Sequence, residues 1–77
     1  MNAIKQKILE MYNKALKSKH GYNTYEGTNF DVSCQVFDHY NNRAVYVAFN
    51  HTSNEKTSYL IDGTLESSTG QFIVEVL

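Results

Sequence analysis

The hydrophobic period of the chain changes once, and that change limits what it can build. Between Asn2 and Lys19, apolar side chains recur at Ile4, Ile8, Met11 and Ala15, with Leu9, Tyr12 and Leu16 beside them. This is the spacing of an amphipathic helix with one buried stripe. From Asn29 onward apolar and polar residues alternate, the spacing of β-strands. One helix must therefore serve a whole sheet, and a helix can shield only one of its faces.

The ends of these elements carry their own signals. Asn2 can cap the helix N-terminus, Lys17, Lys19 and His20 suit the negative end of the helix dipole, and Gly21 stands where a left-handed stop belongs. Residues 21–28, "GYNTYEGT", read as a connecting loop, with room for a short edge strand from Tyr22 to Glu26. Phe30, Val32, Cys34 and Val36 share one face of a first long strand, and Val45, Val47 and Phe49 share one face of a second. A turn at Asn41-Asn42 sets Val36 against Val47 and Cys34 against Phe49, so these two apolar sets form the expected core. A third strand, Thr57 to Asp62, offers Leu60 as its inward residue. Gly63 marks a bulge, and a last strand runs from Gln71 to Leu77. The expected fold is α+β: one domain, 1–77, with an N-terminal amphipathic helix packed on one face of a four-stranded antiparallel β-meander.

The same register gathers Phe37, Tyr46, Tyr59 and Ile61 on the opposite face, where no helix is left to cover them. A solvated sheet face ordinarily carries Thr, Lys and Glu. Aromatic side chains there suit an interface, because they supply contact area at low entropic cost. These four residues are the expected protein-binding site, for another protein or for a second copy in a homodimer. Two bland readings compete: cross-strand pairs with their hydroxyls in water, and burial beneath the 21–28 loop. The chain has no proline, so no strand edge carries that form of protection against pairing with another chain.

Composition narrows the function classes. Seventy-seven residues leave little core to spare for an elaborate active site. Cys34 is the only cysteine, which excludes an internal disulfide and points to a reducing cytoplasm, where the Asn50-His51-Thr52 sequon has no role. No apolar run is long enough to span a membrane, and the N-terminus lacks a signal-peptide layout. Phosphate-binding glycine motifs, paired metal-ligand spacings and nucleophile elbows are absent, so no cofactor and no metal is expected. The nearest approach to a catalytic pair is Cys34 with His51, diagonal neighbours in the expected hairpin. Cys34 belongs to an apolar series, though, and reads as a small core residue. Asp38 and His39 are adjacent in a strand and point to opposite faces. The chain reads as a non-enzyme.

Charge is divided along the chain. Residues 1–20 hold five lysines against one glutamate, net +4, whereas residues 21–77 carry net −5. Lys5, Lys7, Lys14 and Lys17 on the helix invite a nucleic-acid reading. A single arginine and an acidic sheet side oppose it. The carboxylates could instead steer the sheet towards a basic target. A third reading places a small molecule or nucleotide in a pocket of Lys19, His20, Tyr22 and Tyr25. Asn, Lys and Tyr, all read from A/T-rich codons, make up 20 of the 77 residues, which fits a phage or other mobile element. The leading expectation is a small regulator or inhibitor that occupies a surface of a host protein, as anti-defence factors of phages do.

Overall fold

The computed structural model describes residues 2–77. A helix, α1 (Ala3–Ser18), is followed by β1 (Thr24–Glu26), β2 (Phe30–Asp38), β3 (Arg43–Asn50), β4 (Glu55–Glu66) and β5 (Phe72–Val76). The strands form one antiparallel sheet in the order β1-β2-β3-β4-β5. The α+β architecture is as the periodicity indicates, with the short segment after the helix supplying a fifth strand.

Asn2 caps α1, its side-chain oxygen accepting a hydrogen bond from the Lys5 N–H at 2.8 Å. The left-handed residue that ends the helix is Lys19, with φ 55°, two positions before the glycine expected there. Gly21 is needed for a different reason. It is buried, and a Cβ on it would run into the Phe37 ring, so the chain leaving the helix packs directly against that ring. The β2–β3 turn uses asparagine as the sequence indicates, with positive φ at Asn42, and the β3–β4 turn does the same at Asn54.

Two irregularities shape the sheet. Between Cys34 and Val36 the β2–β3 register shifts, leaving Gln35 as a bulge, so Val36 pairs with Val45 and Cys34 with Tyr46. Between Asp62 and Glu66 a second shift bows β4 outward from β5, starting at Gly63. A side chain at Gly63 would meet the Tyr12 hydroxyl and the Asn42 carbonyl.

α1 covers the face of Val32, Ala44, Tyr46, Ala48, Tyr59, Ile61 and Val74, and buries Ile8, Leu9 and Tyr12 against it. Each such aliphatic side chain contributes roughly 1.5–3 kcal/mol when fully buried. Tyr12 anchors the contact, meeting Phe37 and Phe72 edge-on at 6.3 and 5.3 Å between ring centroids. This corrects the expected assignment of faces. Phe37, Tyr46, Tyr59 and Ile61 do share one face, but it is the one beneath the helix, whereas Val45, Val47, Phe49 and Leu60 lie on the open side. The reason is steric: on the central strand β3, Ala44 and Ala48 flank Tyr46, and their small side chains let the helix settle close while the tyrosine fills the space between.

Candidate binding surface

With the helix face accounted for, no described element covers the other side of the sheet. The register places Val36, Val45 and Leu60 in one row of that side, with Val47 and Phe49 further along β3 and Ile73 on β5. Val36 is 47 % exposed and the others are half-buried by their neighbours in the sheet. Around this strip the same register sets Glu26, Asp31, Asp38, Asp62 and Glu75 against only Arg43 and Lys56. Arg43 lies 3.5 Å from Asp62 across the β3–β4 pair. A shallow depression of about 340 Å³ opens between β1, β2 and β3, walled by Glu26, Asp31, Gln35 and Lys56 and floored by Val47 and Phe49.

Local hydrogen bonds hold the acidic rim in place. One Asp31 oxygen accepts from the Gly27 N–H at 3.2 Å and lies 3.0 Å from Nε2 of His51, which ties the β1–β2 turn to the β3–β4 turn. Asp38 accepts hydrogen bonds from the side chain and backbone of Asn41, and these hold its carboxyl below the usual range. Asp62 is lowered likewise, chiefly by the Thr64 hydroxyl and N–H and then by Arg43. Asp38 and Asp62 are therefore ionised at neutral pH, and their geometry is set by the turns themselves.

Three of the four protein-binding residues expected from the sequence are buried, and the fourth is half-buried. Tyr46 and Ile61 have no exposure, Tyr59 is buried, and Phe37 is packed between Tyr12 and His39. A homodimer through that face would require the helix to leave. The Tyr46 hydroxyl has no hydrogen-bond partner among the described residues. Burial pushes its pKa well up, and the neighbouring Cys34 thiol adds to the shift.

Of the four residues of the expected ligand pocket, Tyr25 lies on the helix side of the sheet and packs on Phe30 at 5.7 Å, while Tyr22 is 62 % exposed and Lys19 and His20 stand in solvent. Tyr25 instead borders a cleft of about 300 Å³ between α1 and β1, with Lys7, Glu10 and Lys14 on the helix side. The Lys7 ammonium sits 4.3 Å from the Tyr25 ring centroid and 2.8 Å from Glu10, whose hydrogen bond raises the lysine pKa. One of the four cations of the presumed nucleic-acid stripe is thus already satisfied within the chain.

Cys34 and His51 do not meet. Cys34 pairs with Tyr46; the Phe30–Asn50 pair stands four residues along, roughly 13 Å at the usual rise, and His51 lies beyond it. Burial raises the Cys34 pKa, and its thiol contacts the Val36 carbonyl at 3.4 Å. Among the described residues, no group of three or more His, Cys, Asp or Glu is arranged to hold a metal ion, and no helix is long and apolar enough to cross a membrane. No protein-family model, curated protein or solved structure matches the chain.

The open strip was missed because hydrophobicity alone placed Val45, Val47 and Phe49 in the core. Arg43 shares their parity on β3, as Lys56 and Asp62 share that of Leu60 on β4, and those charges were the available signal.

Proposed function

We propose that the chain is a non-enzymatic binding protein that regulates or inhibits another protein by laying its open sheet face on a basic surface of that target. The observation that carries this reading is the apolar strip of Val36, Val45, Val47, Phe49, Leu60 and Ile73 inside an acidic rim. An apolar centre with a charged border is the anatomy of a transient protein interface, the centre giving affinity and the border giving steering and register. Five carboxylates against two cations select a positively charged partner and repel a phosphate backbone. The codon bias fits a phage or mobile-element source, with a host protein as the target.

The test is a comparison of variants. A target captured from a host lysate by the wild-type chain is purified and titrated against wild type, Val47→Lys and Lys17→Glu at several salt concentrations. Val47→Lys places a charge at the centre of the strip and weakens binding about a hundredfold or more, as for disrupted interface anchors. Lys17→Glu, on the helix, leaves affinity within about twofold, and wild-type association slows as salt rises. A target that binds Val47→Lys as well as wild type, or that is lost on Lys17→Glu, overturns the assignment of the open face.

A further inference from the structure

The two edges of the sheet are unequal. β1 is three residues long and carries Thr24 and Glu26, which makes it a short, polar edge of the kind that resists pairing. β5, at the other edge, reads Phe-Ile-Val-Glu-Val, with one charge and no proline or lysine. Val76 on β5 and the adjacent Leu77 are 58 % and 67 % exposed. The direction of its free backbone groups follows from its pairing with β4. Leu77 N–H donates to the Ser58 carbonyl at 2.9 Å, and Tyr59, Leu60, Ile61 and Asp62 pair in turn with Val76, Glu75, Val74 and Ile73. In an antiparallel ladder the bonded and non-bonded pairs alternate, so Leu77, Glu75 and Ile73 turn their N–H and C=O groups towards β4. Phe72, Val74 and Val76 turn theirs outward, where no described residue meets them.

We infer that β5 pairs antiparallel with β5 of a second copy about a two-fold axis at Val74, joining the two five-stranded sheets into one. The strand is self-complementary in this register: Val74 faces its own counterpart, Phe72 faces Val76 of the other copy, and Ile73 faces Glu75. Every outward donor and acceptor of both strands then finds a partner. A slip of one residue sets inward groups against outward ones, and a slip of two leaves one outward residue of each strand unpaired. The single charge, Glu75, meets an isoleucine and not its own copy, so no like charges stand directly opposed.

Side chains agree with the backbone. A groove of about 340 Å³ runs beside the edge at the Phe72 end, between that ring and Val74 on one wall and Asn2 and Lys5 at the start of α1 on the other. Val76 of the second copy, opposite Phe72 on the helix side, enters this groove and loses its exposure there. The contact needs no movement of the core, because it uses only what the free edge already presents. It is also independent of the open face, which remains uncovered.

The test is self-association measured by sedimentation and light scattering up to millimolar protein, for wild type, Val76→Pro, Val76→Lys and Val47→Lys. Wild-type mass rises from 8.8 kDa towards twice that value with concentration. Val76→Pro removes an outward N–H that the β4 ladder does not use, so the fold tolerates it as edge strands tolerate proline. By symmetry two inter-copy hydrogen bonds are lost, and association weakens roughly ten- to a hundredfold. Val76→Lys, which keeps the backbone donor but blunts the edge, weakens association if the proline variant proves unfolded by circular dichroism. Val47→Lys associates as wild type does. Amide exchange at Val74 slows as protein concentration rises. A wild type that stays monomeric throughout, a folded Val76→Pro or Val76→Lys that associates undiminished, or loss of association in Val47→Lys overturns the pairing.

Discussion

Replacing Tyr46 by phenylalanine should stabilise this protein, the reverse of what removal of a buried tyrosine hydroxyl ordinarily does. Tyr46 is fully buried at the centre of the helix–sheet contact, and its hydroxyl has no nitrogen or oxygen partner among the described residues. A buried polar group without a partner costs about 1–3 kcal/mol relative to its hydrated state in the unfolded chain. The Cys34 sulfur beside it is a weak acceptor and recovers only part of that cost. Phenylalanine removes the cost and leaves a void on the order of 10 Å³, a loss of only about 0.2 kcal/mol by the usual cavity scaling. The net gain is about 1 kcal/mol, which for a domain of this size raises Tm by about 4–8 °C. Urea unfolding followed by far-ultraviolet circular dichroism measures the midpoint at constant m-value, and calorimetry measures Tm. In a Cys34→Ala background the gain should be larger by whatever the hydroxyl–sulfur contact is worth. A midpoint that falls on Tyr46→Phe would show that the hydroxyl has a real partner, and the account of the core around β3 would be wrong.

Two further predictions concern the helix exit and acid unfolding. Lys19 holds a left-handed conformation that glycine adopts without strain, so Lys19→Gly should raise stability by up to about 1 kcal/mol, while Gly21→Ala should lower it by about 1–3 kcal/mol through collision with the Phe37 ring. Equal responses at the two positions in chemical denaturation would contradict this division of roles. Asp38 and Asp62 have folded-state pKa values below their unfolded ones, so their stabilisation is complete above about pH 4 and is lost as pH falls through the folded values. Asp38→Asn with Asp62→Asn should therefore flatten the decline in urea midpoint below pH 4. An unchanged acid limb in the double variant would mean that those turn hydrogen bonds do not persist in solution.

The sequence made the elements legible and left the faces ambiguous, for identifiable reasons. The helix shows a single apolar stripe, and the turns carry Asn42 and Asn54 where positive φ is needed, so the elements and their order can be read directly, although β4 (Glu55–Glu66) runs beyond the expected Thr57–Asp62 at both ends. On β3, however, both faces alternate plausibly: Val45, Val47 and Phe49 look more like a core than Ala44, Tyr46 and Ala48. Hydropathy rewards volume, whereas the strand beneath a helix needs small residues at its points of closest approach. The bulge at Gln35 compounds the difficulty, since no glycine announces it, and it reverses the parity of β2 so that Cys34 and Val36 end on opposite sides. Tyr46, Tyr59 and Ile61 share a face as expected because β3 and β4 have no such break between Arg43 and Asp62, and Phe37 joins them because it lies on the turn side of the bulge, opposite Ala44. Charge would have chosen the correct face. A helix cannot cover Asp31, Asp38, Arg43, Lys56 and Asp62 without stripping them of water, and all five share the side of Val45.

The open face and the β5 edge have a geometric relation that bears on how a target would be held. An antiparallel pairing within one sheet has its two-fold axis perpendicular to the sheet, so both helices lie on one side and both open faces on the other. Two acidic, apolar strips then point the same way from a single rigid layer. A target able to engage both gains the effective concentration of the second strip once the first is bound, whereas a target with a single basic patch gains nothing from pairing. The two interfaces can therefore be separated experimentally. Val76→Pro should leave the one-to-one affinity for an isolated basic patch untouched and reduce only the apparent affinity for a dimeric or immobilised target. Val47→Lys should abolish both. If Val76→Pro weakens the one-to-one contact as strongly as it weakens self-association, the edge and not the face is where the target binds, and the apolar strip is simply the solvated side of a small sheet.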